Sequence, residues 1–354
     1  MKRESGDGRQ GRGGITVHDL AREAGVSLAT VDRVLNRRPG VRAATVEKVE
    51  AAIARTGYRR NIGASLLARG QGVRLRFLLP GGGNLFMAAL QAEVAALGTF
   101  DEGEGLETSV FRIPPMNAEA LARALDALTP GEVDCVAVVA MEADSVAEAV
   151  RRCTDRGIRV VTMVSDIPDT GREAFVGIDN RVAGRMAARM LGLALPRGAV
   201  VGLIAGSLGL RDHRERLEGF GEVMAESFGH LTVVGPFEGS DDPGTTGAIL
   251  ARLLAEQPGL AGLYNAGAGN SGLAAVLAET GAHLRMVAHE LTAITRPALE
   301  SGQIDYVIDQ NPRAEVRAVA RAARRLVLGP GTGPAEDRIA IRVFLRDNLH
   351  EDGF

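Results

Sequence analysis

The segment GVSLATVDRVLN, residues 25–36, carries side chains that suit contact with a DNA duplex. Its valines and Leu35 recur at helical spacing and mark one face of a short helix, which leaves Leu28, Ala29 and Arg33 on the outward face. Small apolar side chains can contact a thymine methyl group, and an arginine can bind guanine through two hydrogen bonds or bind a phosphate. Hydroxyl and amide groups can bind backbone oxygens, which sets register without reading sequence; those available are Thr16, Ser27, Thr30 and Asn36.

A second set of polar residues follows the predicted strands of the longer C-terminal part. Ligands bind parallel α/β sheets at the carboxyl ends of the strands, so residues that directly follow a strand are candidate ligand contacts. Carboxylate, amide and guanidinium groups can each bond a hydroxyl, which both donates and accepts, while an aromatic ring can cover an apolar sugar face. We therefore predict a sugar or polyol site formed by Asn84, Phe86, Asp166, Arg214, Asn265, Glu290 and Gln310.

Three short helices are predicted to position the first set, within residues 15–57. Gly25 breaks the chain between the first two, as a tight turn requires, and Ser27 is placed to cap the second. A third helix is predicted from about Ala43 to Arg55. A helix, a glycine turn and a second capped helix fit a helix-turn-helix, whose second helix lies in the major groove. An ordinary three-helix bundle is the alternative.

From Val73 onward, apolar runs alternate with amphipathic segments of about 10–16 residues. Near-continuous apolar strands with helices between them predict parallel sheets covered on both faces, and so many units over about 280 residues favour two sheets. The predicted fold is an all-α helix-turn-helix head followed by two doubly wound parallel-sheet α/β lobes. The predicted strands are RLRFLLP, CVAVVA, RVVTMVS, AVVGLIAG, LTVVGPF, AGLYNA, LRMVAHEL and DYVIDQ, and the predicted helices include 117–128, 144–156, 180–193, 213–227 and 312–328.

Charge is distributed unevenly along the 354 residues. Residues 1–70 carry 14 Lys+Arg and 7 Asp+Glu, whereas the remaining 284 carry 27 and 37. A basic head on an acidic body indicates a polyanionic partner for the head alone. The sequence shows no apolar run long enough for a membrane span and no secretory signal, and its two cysteines fit a reducing compartment. We therefore expect a cytoplasmic protein with no membrane partner, no metal site and no cofactor.

The segment ITVHDLAREAGVSLATVDRVLNRRPGVRAATVEKVEAAIARTGY closely resembles the DNA-binding head of LacI/GalR-type bacterial repressors. It shares V-x-D-L-A, A-G-V-S, A-T-V-x-R-V-L-N and G-Y at the family's spacing. The resemblance implies that Leu28, Ala29 and Arg33 read bases. It also implies that YRRNIGASLLARG is a hinge helix that orders on operator DNA, with DNA contacts from Asn61, Ala64 and Leu67 and with the leucine entering the minor groove.

Two positions depart from the family's common pattern. Proline is common where Arg60 stands, and serine or a similar small polar residue is common where Asp32 stands. Arg60 is expected to loosen the hinge or add a phosphate contact, and Asp32 would repel phosphates unless Arg33 or Arg37 screens it. The expected operator therefore differs from the family's common sites.

The rest of the chain resembles periplasmic sugar-binding proteins, which have two doubly wound lobes with a cleft between them. RERLEGF resembles the motif whose first arginine grips the sugar, here Arg214. NLF resembles the aromatic-bearing loop of ribose-type binding proteins, and Gln310 in DQNP matches the glutamine at the last lobe crossing. Glu290 stands where the family usually has aspartate, and its extra methylene indicates a smaller or differently hydroxylated ligand.

These features predict a DNA-binding transcriptional repressor whose affinity for a pseudo-palindromic operator is controlled by a sugar or polyol bound between the lobes. No leucine heptad follows IAIRVFLRDNL, so a homodimer is expected and not the family's tetramer. The identity of the effector, and whether it induces or co-represses, stay open. The predicted regions are a disordered tail (1–14), the helix-turn-helix domain (15–57), a hinge helix or linker (58–72) and an effector-binding and dimerisation domain (73–354), with its first lobe at about 73–173 and 311–329 and its second at about 174–310 and 330–346.

The segment GAGNSG, residues 267–272, supports a different function. It matches G-x-G-x-x-G after a predicted strand and before a helix, and Glu290 lies about 20 residues on, where a ribose-binding acid would lie. The alternative is a nicotinamide-dependent oxidoreductase fused to a DNA-binding head. Because the match lies late in the domain, and glycine-rich turns recur by chance in a chain with 45 glycines, we predict that the protein is not an enzyme. A third possibility is an architectural DNA binder without a ligand, which predicts a body lacking a polar cleft.

Overall fold

The computed structural model describes residues 17–35, 40–56, 72–100, 106–329 and 336–349. The chain divides into two units, a head, Met1–Arg69, and a body, Gly70–Phe354. The predicted tail and most of the predicted hinge lie outside the described residues. Among the helices within those ranges, none is both long enough and apolar enough to cross a membrane.

The described part of the head consists of three helices, α1 (Val17–Ala24), α2 (Leu28–Leu35) and α3 (Ala43–Thr56). Leu20, Val31 and Val49, one from each helix, are fully buried and form the centre of a small apolar core. Gly25 has a φ of +64°, the left-handed conformation that a glycine adopts at little cost, and it turns the chain between α1 and α2. The predicted helices and the predicted glycine turn are confirmed.

The body begins with β1 (Val73–Pro80) and alternates strands with helices. The elements that follow are α4 (Leu85–Phe100), β2 (Leu106–Ile113), α5 (Ala118–Asp126), β3 (Cys135–Val138), α6 (Asp144–Asp155), β4 (Arg159–Met163), β5 (Ala174–Gly177), α7 (Asn180–Ala194), β6 (Val200–Ala205), α8 (Arg211–Ser227), β7 (Thr232–Glu238), α9 (Pro243–Glu256), β8 (Leu260–Asn265), α10 (Asn270–Thr280), β9 (Arg285–His289), α11 (Thr295–Ser301), β10 (Tyr306–Asp309), α12 (Pro312–Leu328), β11 (Glu336–Arg338) and β12 (Arg342–Phe344), before a 3₁₀ turn at Arg346–Asn348.

Two six-stranded sheets form the two lobes of the body. The first sheet has the spatial order β11-β5-β4-β3-β1-β2, and each neighbouring pair is parallel. The second has the order β12-β10-β9-β8-β6-β7 and is parallel except for β12, which is antiparallel to β10. Every residue of β3 is buried, as expected for a strand covered on both faces. The prediction of two doubly wound parallel-sheet lobes is confirmed.

Several elements have no clear signal in the sequence pattern. β2 is an edge strand with mostly exposed side chains, so it shows no continuous apolar run. β5 has four residues, too few for a periodic pattern. α4 is apolar along most of its length, so it lacks the contrast between faces that marks an amphipathic helix. β2 forms because it pairs with β1 along its whole length, whereas β5 and α4 form because neighbouring elements bury them.

The lobe boundaries differ from the predicted ones. β5 pairs with β4, so the first crossing follows Gly177 and not residue 173. β11 pairs with β5 and therefore belongs to the first lobe, although residues 330–346 were expected in the second. The physical reason is that β4 is buried after its first residue and needs a neighbour to bond its outer edge. The lobes are thus joined by three segments, 178–179, 310–311 and 339–341.

Candidate functional site

A cavity of about 410 Å³ lies between the two lobes of the body. Its lining includes residues at or just after the carboxyl ends of strands in both sheets, such as Pro80, Val139, Val164 and His289. This is the edge at which doubly wound sheets bind ligands. The volume lies within the range of about 300–1,000 Å³ that is typical of small-molecule sites.

Arg216 on α8 is the central cation of the described lining. It is 2% exposed, its Nε donates to Oδ1 of Asn180 at 2.8 Å, and its Nη1 donates to the carbonyl of Ala266 at 2.8 Å. Its Nη2 has no hydrogen-bond partner, and Oδ2 of Asp212, one helical turn earlier, lies 3.8 Å away. Two hydrogen bonds therefore hold the guanidinium in place, and its Nη2 group is left without a hydrogen-bond partner.

Arg214, the arginine that the sequence singled out, lies outside the cavity lining. Its guanidinium pairs with Glu142 and donates to the carbonyl of Leu208 at 2.7 Å. Two positions along an α-helix are about 200° apart, so Arg214 and Arg216 point to different sides of α8. The prediction of Arg214 is corrected to Arg216, the second arginine of the same motif.

Glu290 and Gln310 form a buried pair on the lining. Gln310 donates through Nε2 to Oε1 of Glu290 at 2.7 Å and through its backbone N–H to Oε2 at 3.3 Å. Burial raises the pKa of Glu290 to about 8, the charge of Asp309 adds to the rise, and Arg216 opposes it. The side-chain oxygen of Gln310 has no partner. Both residues therefore lie where the sequence predicted them.

Two histidines, His213 and His289, also line the cavity. His289 Nε2 lies 2.9 Å from the hydroxyl of Tyr264, and its Nδ1 has no partner. Burial lowers the pKa of His289 well below its ordinary value, and the charge of Arg216 adds to this, so the ring is neutral at pH 7. His213 accepts a hydrogen bond from the backbone N–H of Ser207 at 3.0 Å.

Unpartnered polar atoms gather on the second-lobe side of this lining. They are Oδ1 of Asp212, Nη2 of Arg216, Nδ1 of His289 and Oε1 of Gln310. A buried polar atom without a partner costs about 1–3 kcal/mol. Two of these atoms accept, one donates, and the histidine nitrogen can do either according to its tautomer. Neighbouring atoms cover these groups in the present arrangement, so a ligand hydroxyl can bond them once their side chains turn toward the cavity.

A further buried carboxyl, which the sequence pattern did not reveal, lies behind the site. Glu315 on α12 is fully buried, and neither of its carboxyl oxygens has a hydrogen-bond partner. Burial, followed by the charge of Glu290, raises the pKa of Glu315 well above its ordinary value. The buried environment of Glu315 therefore favours its neutral, protonated form. Its position one turn into an amphipathic helix gave no sign of this environment.

Asp166 and Asn265 do not reach the cavity lining. The carboxylate of Asp166 accepts two bonds from Arg172, at 2.9 and 2.6 Å, and one from Thr162 at 2.5 Å. Asn265 is fully buried and donates to the carbonyl of Ala268 at 2.9 Å and to the side chain of Asn270 at 2.8 Å. These two predictions are corrected, because both side chains hold the turns that follow their strands.

Asn84 and Phe86 line the cavity from the first lobe, as the sequence predicted. The side-chain oxygen of Asn84 accepts from the backbone N–H groups of Phe86 and Met87 at 3.0 and 3.2 Å, which caps α4. Its amide donates to Oδ2 of Asp241, in the second lobe, at 3.2 Å. Asn84 thus links the lobes at the rim of the cavity.

An ion-pair cluster also joins the two lobes. Glu142, which follows β3 in the first lobe, pairs with Arg211 on α8 at 3.1 Å and with Arg214 on the same helix. Because these partners lie on opposite lobes, rotation of one lobe against the other must alter the pairs. Arg214 therefore contributes to the lobe arrangement and not to the cavity wall.

Backbone strain concentrates around the cavity. Of the seven non-glycine residues with positive φ in the described chain, five belong to the lining. Strained conformations of this kind cluster at functional sites, where the surrounding structure enforces them. The five residues are Met116, Val164, Ser240, Asp241 and Glu290.

The glycines of GAGNSG have a packing cause. A Cβ on Gly272 would lie 1.8 Å from the carbonyl oxygen of Pro243, at the start of α9. A Cβ on Gly267 would lie 2.5 Å from the backbone nitrogen of Gly206, and Gly269 has a φ of +84°. The spacing is therefore needed for the close approach of α10 to α9, and it gives no independent support to the dinucleotide alternative.

The head exposes the residues predicted to read bases. Leu28 is 40% exposed, and Ala29 and Arg33, four residues apart on α2, are also exposed. Ser27 accepts from the backbone N–H of Thr30 at 3.2 Å and thus caps α2, and the two hydroxyls lie 2.9 Å apart. Asp32 is half-buried. The other predicted DNA contacts, Thr16, Asn36, Asn61, Ala64 and Leu67, lie outside the described residues.

Comparison with known proteins finds two protein families along the chain. The family described as bacterial regulatory proteins, lacI family, matches residues 16–61, and the family described as periplasmic binding protein domain matches residues 75–331. Catabolite control protein A of Priestia megaterium is 40% identical over 85 residues, which cover 24% of this chain and 26% of that protein. Catabolite control protein A of Staphylococcus epidermidis is 26% identical over 213 residues, which cover 60% of this chain and 62% of that protein. The chain thus spans less than two thirds of the length of either relative.

Solved structures share the fold of the body. An ABC transporter solute binding protein from Burkholderia graminis, in complex with D-arabinose, has a TM-score of 0.74 and 22% identity and covers 80% of this chain and 99% of its own. The glucose-galactose binding protein GanP from Geobacillus stearothermophilus has a TM-score of 0.72 and 20% identity. The match covers 79% of this chain and 99% of GanP. At 22% and 20% sequence identity, these matches show that the body shares the fold of the two proteins.

Proposed function

Because this chain belongs over residues 75–331 to the periplasmic binding protein domain family, and residues 16–61 match the lacI family of bacterial regulatory proteins, we propose that it is a repressor controlled by a small ligand. The ligand is a sugar or polyol held in the cavity between the two lobes. The observation that carries the proposal is the group of four buried, unpartnered polar atoms on residues of that cavity's lining. Hydroxyl groups of a ligand supply the partners that these atoms lack.

Arg216 is the main anchor for the ligand in this proposal. Its free Nη2 donates to a ligand oxygen, while Asp212 and Gln310 accept from ligand hydroxyls. A site built to bond a hydroxyl rejects an analogue that lacks it, because the buried polar groups are then left unpaired. This arrangement gives selectivity for hydroxylated ligands over apolar molecules of the same size.

The head reads operator DNA through α2. Leu28 and Ala29 contact base edges through apolar atoms, and Arg33 binds guanine or a phosphate. Two copies of the chain bind the two halves of a pseudo-palindromic operator, since a symmetric dimer matches a symmetric site. The basic charge of residues 1–70 adds attraction to the phosphate backbone that does not depend on sequence.

The ligand controls the operator by favouring one arrangement of the lobes. A ligand can change the affinity for DNA only by as much as its own affinity differs between the two arrangements. The pairs of Glu142 with Arg211 and Arg214, and the bond from Asn84 to Asp241, connect the lobes in the present arrangement. Ligand binding shifts the balance between this arrangement and one in which those contacts differ.

The first test identifies the operator and then the response. Selection from a pool of random duplexes with the full chain yields a bound sequence, and the proposal expects an inverted repeat in it. Fluorescence anisotropy with the selected duplex then measures binding in the presence of each of a panel of sugars and polyols. At least one should change operator affinity about tenfold or more, a coupling of about 1.4 kcal/mol.

A pair of variants assigns the response to the cavity. Arg216→Gln should abolish the response to the active sugar and leave operator binding intact. Arg189→Gln, at an exposed arginine of α7 outside the lining, should keep both sugar binding and the response. If Arg216→Gln is poorly folded, Gln310→Leu tests the same site from the crossing segment. Equal sugar affinity in all three variants and the wild type would refute the site.

A further inference from the structure

The two walls of the cavity differ in chemistry. The second-lobe wall carries the carboxylates, imidazoles and guanidinium described above. On the first-lobe wall, Asn84 alone among the described lining residues has a strong hydrogen-bonding side chain. The other first-lobe residues are glycines, prolines and the apolar set Leu85, Phe86, Met87, Ile113, Met116, Val139, Met141 and Val164.

Asn84 has little capacity left for a ligand. Its oxygen accepts two backbone N–H groups at the start of α4, and its amide donates across the rim to Asp241. A molecule in the cavity therefore meets hydrogen-bonding groups on one side and hydrocarbon, thioether and an aromatic ring on the other.

Val164 shows how an apolar side chain is maintained at a position that does not favour it. It has a φ of +64°, a conformation that glycine or asparagine adopts more easily than a β-branched residue. It follows β4 directly, at the sheet edge where ligands bind. The strained turn thus presents a valine to the cavity and directs the polar side chain of Asp166 away from the lining.

Methionine is concentrated on the same wall. Three of the nine methionines in the chain, Met87, Met116 and Met141, line the cavity, next to Phe86. Methionine side chains are flexible and polarizable, and they adapt to the shape of apolar groups and make favourable contacts with aromatic rings. This wall is suited to an alkyl or aryl group.

We infer that the effector is amphipathic: a glycoside whose hydroxylated ring faces the second lobe and whose alkyl or aryl substituent faces the first. The inference rests on the proposed function, since it takes the cavity as the effector site. A bare sugar would direct hydroxyls at a wall whose side chains offer almost no free hydrogen-bonding group, and burying hydroxyls unpaired weakens binding. An apolar substituent in the same place loses water-exposed surface instead, which strengthens binding.

The test compares matched glycosides by isothermal titration calorimetry on the full chain. The panel contains methyl and phenyl glycosides of D-glucose, D-galactose, D-xylose and L-arabinose, the four free sugars, and phenol. For the sugar that binds, the phenyl glycoside should bind at least about tenfold more tightly than the methyl glycoside. The phenyl glycoside should also exceed phenol, because the hydroxylated ring bonds the second lobe.

Variants of the first-lobe wall test whether the phenyl group binds against that wall. Met141→Asn and Val164→Asn each add a polar group to the first-lobe wall, and asparagine accepts the backbone conformation of position 164. Each should reduce the ratio of phenyl to methyl affinity to about threefold or less. Met190→Asn is the matched control, since Met190 is half-buried on α7 and lies outside the cavity lining. The control should keep the wild-type ratio.

The outcomes separate the two proposals. Methyl glycosides or free sugars that bind as tightly as phenyl glycosides would overturn the amphipathic effector and leave the sugar-controlled repressor standing. Phenol binding as tightly as the phenyl glycoside would overturn both proposals. No binding by any member of this panel would overturn the amphipathic effector, because the repressor proposal also admits other sugars and polyols. A preference that survives both wall variants would contradict the placement of the substituent against the first lobe.

Discussion

The head displays Leu28, Ala29 and Arg33 on the open face of one short helix, whereas the body encloses Asp212, Arg216 and its other candidate contacts between two lobes. The head needs to hold one helix in the right orientation, and six buried apolar side chains do this. The body needs to bring the ends of strands from two sheets together, which requires large cores in both lobes.

This difference shows how each kind of function depends on the fold. Local structure and a small core are enough to form a surface that reads DNA. Such a small core gives the head a low free energy of unfolding. A cavity that binds a small ligand depends on long-range packing, and its polar groups are fixed by partners far away in sequence, as Arg216 is by Asn180 and Ala266. Substitutions in the head and in the body should therefore impair different properties of the protein.

The largest expected effect is the unfolding of the head. Leu20→Ala removes a fully buried side chain from a core with six buried residues and should lower the stability of the head by about 2–5 kcal/mol. Operator binding should be lost at 25 °C, while calorimetry detects unchanged ligand affinity in the body. Leu193→Ala, at a leucine that is 76% exposed, is the control and should change neither measurement.

A glycine pair on α8 tests how closely the body is packed. Gly219→Ala places a Cβ 2.0 Å from the carbonyl oxygen of Arg181, so we expect destabilisation of roughly 1–3 kcal/mol or more in chemical unfolding. Gly221→Ala, two residues away, meets nothing within 4 Å and should stabilise the helix by about 0.5–1 kcal/mol. Equal effects of the two changes would contradict the close contact between α7 and α8.

Arg33→Ala tests base reading in the head. The variant should lose about 1–3 kcal/mol of binding free energy on the selected operator and little on random DNA, as measured by anisotropy at fixed salt. Arg22→Ala, which removes an exposed arginine of α1 paired with Asp19 at 3.2 Å, is the control. Equal losses on both duplexes would mean that Arg33 binds phosphate alone.

The most specific effect is the pH dependence contributed by Glu290. Because burial raises the pKa of Glu290 to about 8, the folded state holds a proton that the unfolded state releases above its ordinary pKa near 4.5. The contribution of Glu290 to the free energy of unfolding should therefore fall as pH rises from about 4.5 to 8. Glu290→Gln should remove this slope, as measured by urea unfolding across that range. Because the charge of Glu290 helps to raise the pKa of Glu315, the variant should also lower the pKa of Glu315, which reduces the slope further in the same direction. Parallel pH profiles for the two proteins would contradict the assignment.

Much of the head follows from local sequence. Gly25, the Ser27 cap and the spacing of apolar residues give the helices, and the outward side chains of α2 follow from helical periodicity alone. In the body, continuous apolar runs such as CVAVV indicate buried strands, and the rule that ligands bind at strand ends led to Asn84, Phe86, Glu290 and Gln310. These inferences succeed because each depends on residues close together in the chain.

Tertiary structure decided which side chain at each strand end or helix start faces the cavity. Arg216 and not Arg214 lies on the lining because the phase of α8 is set by its packing against α7, where Gly184 and Gly219 allow the backbones to approach. Val164 and not Asp166 lies on the cavity lining because a strained turn after β4 and the pairing of Asp166 with Arg172 fix their directions. The sequence thus determined the elements and the edge of the sheets at which a site forms. The orientation of each side chain at that edge depends on contacts between residues far apart in the chain, which local patterns do not encode.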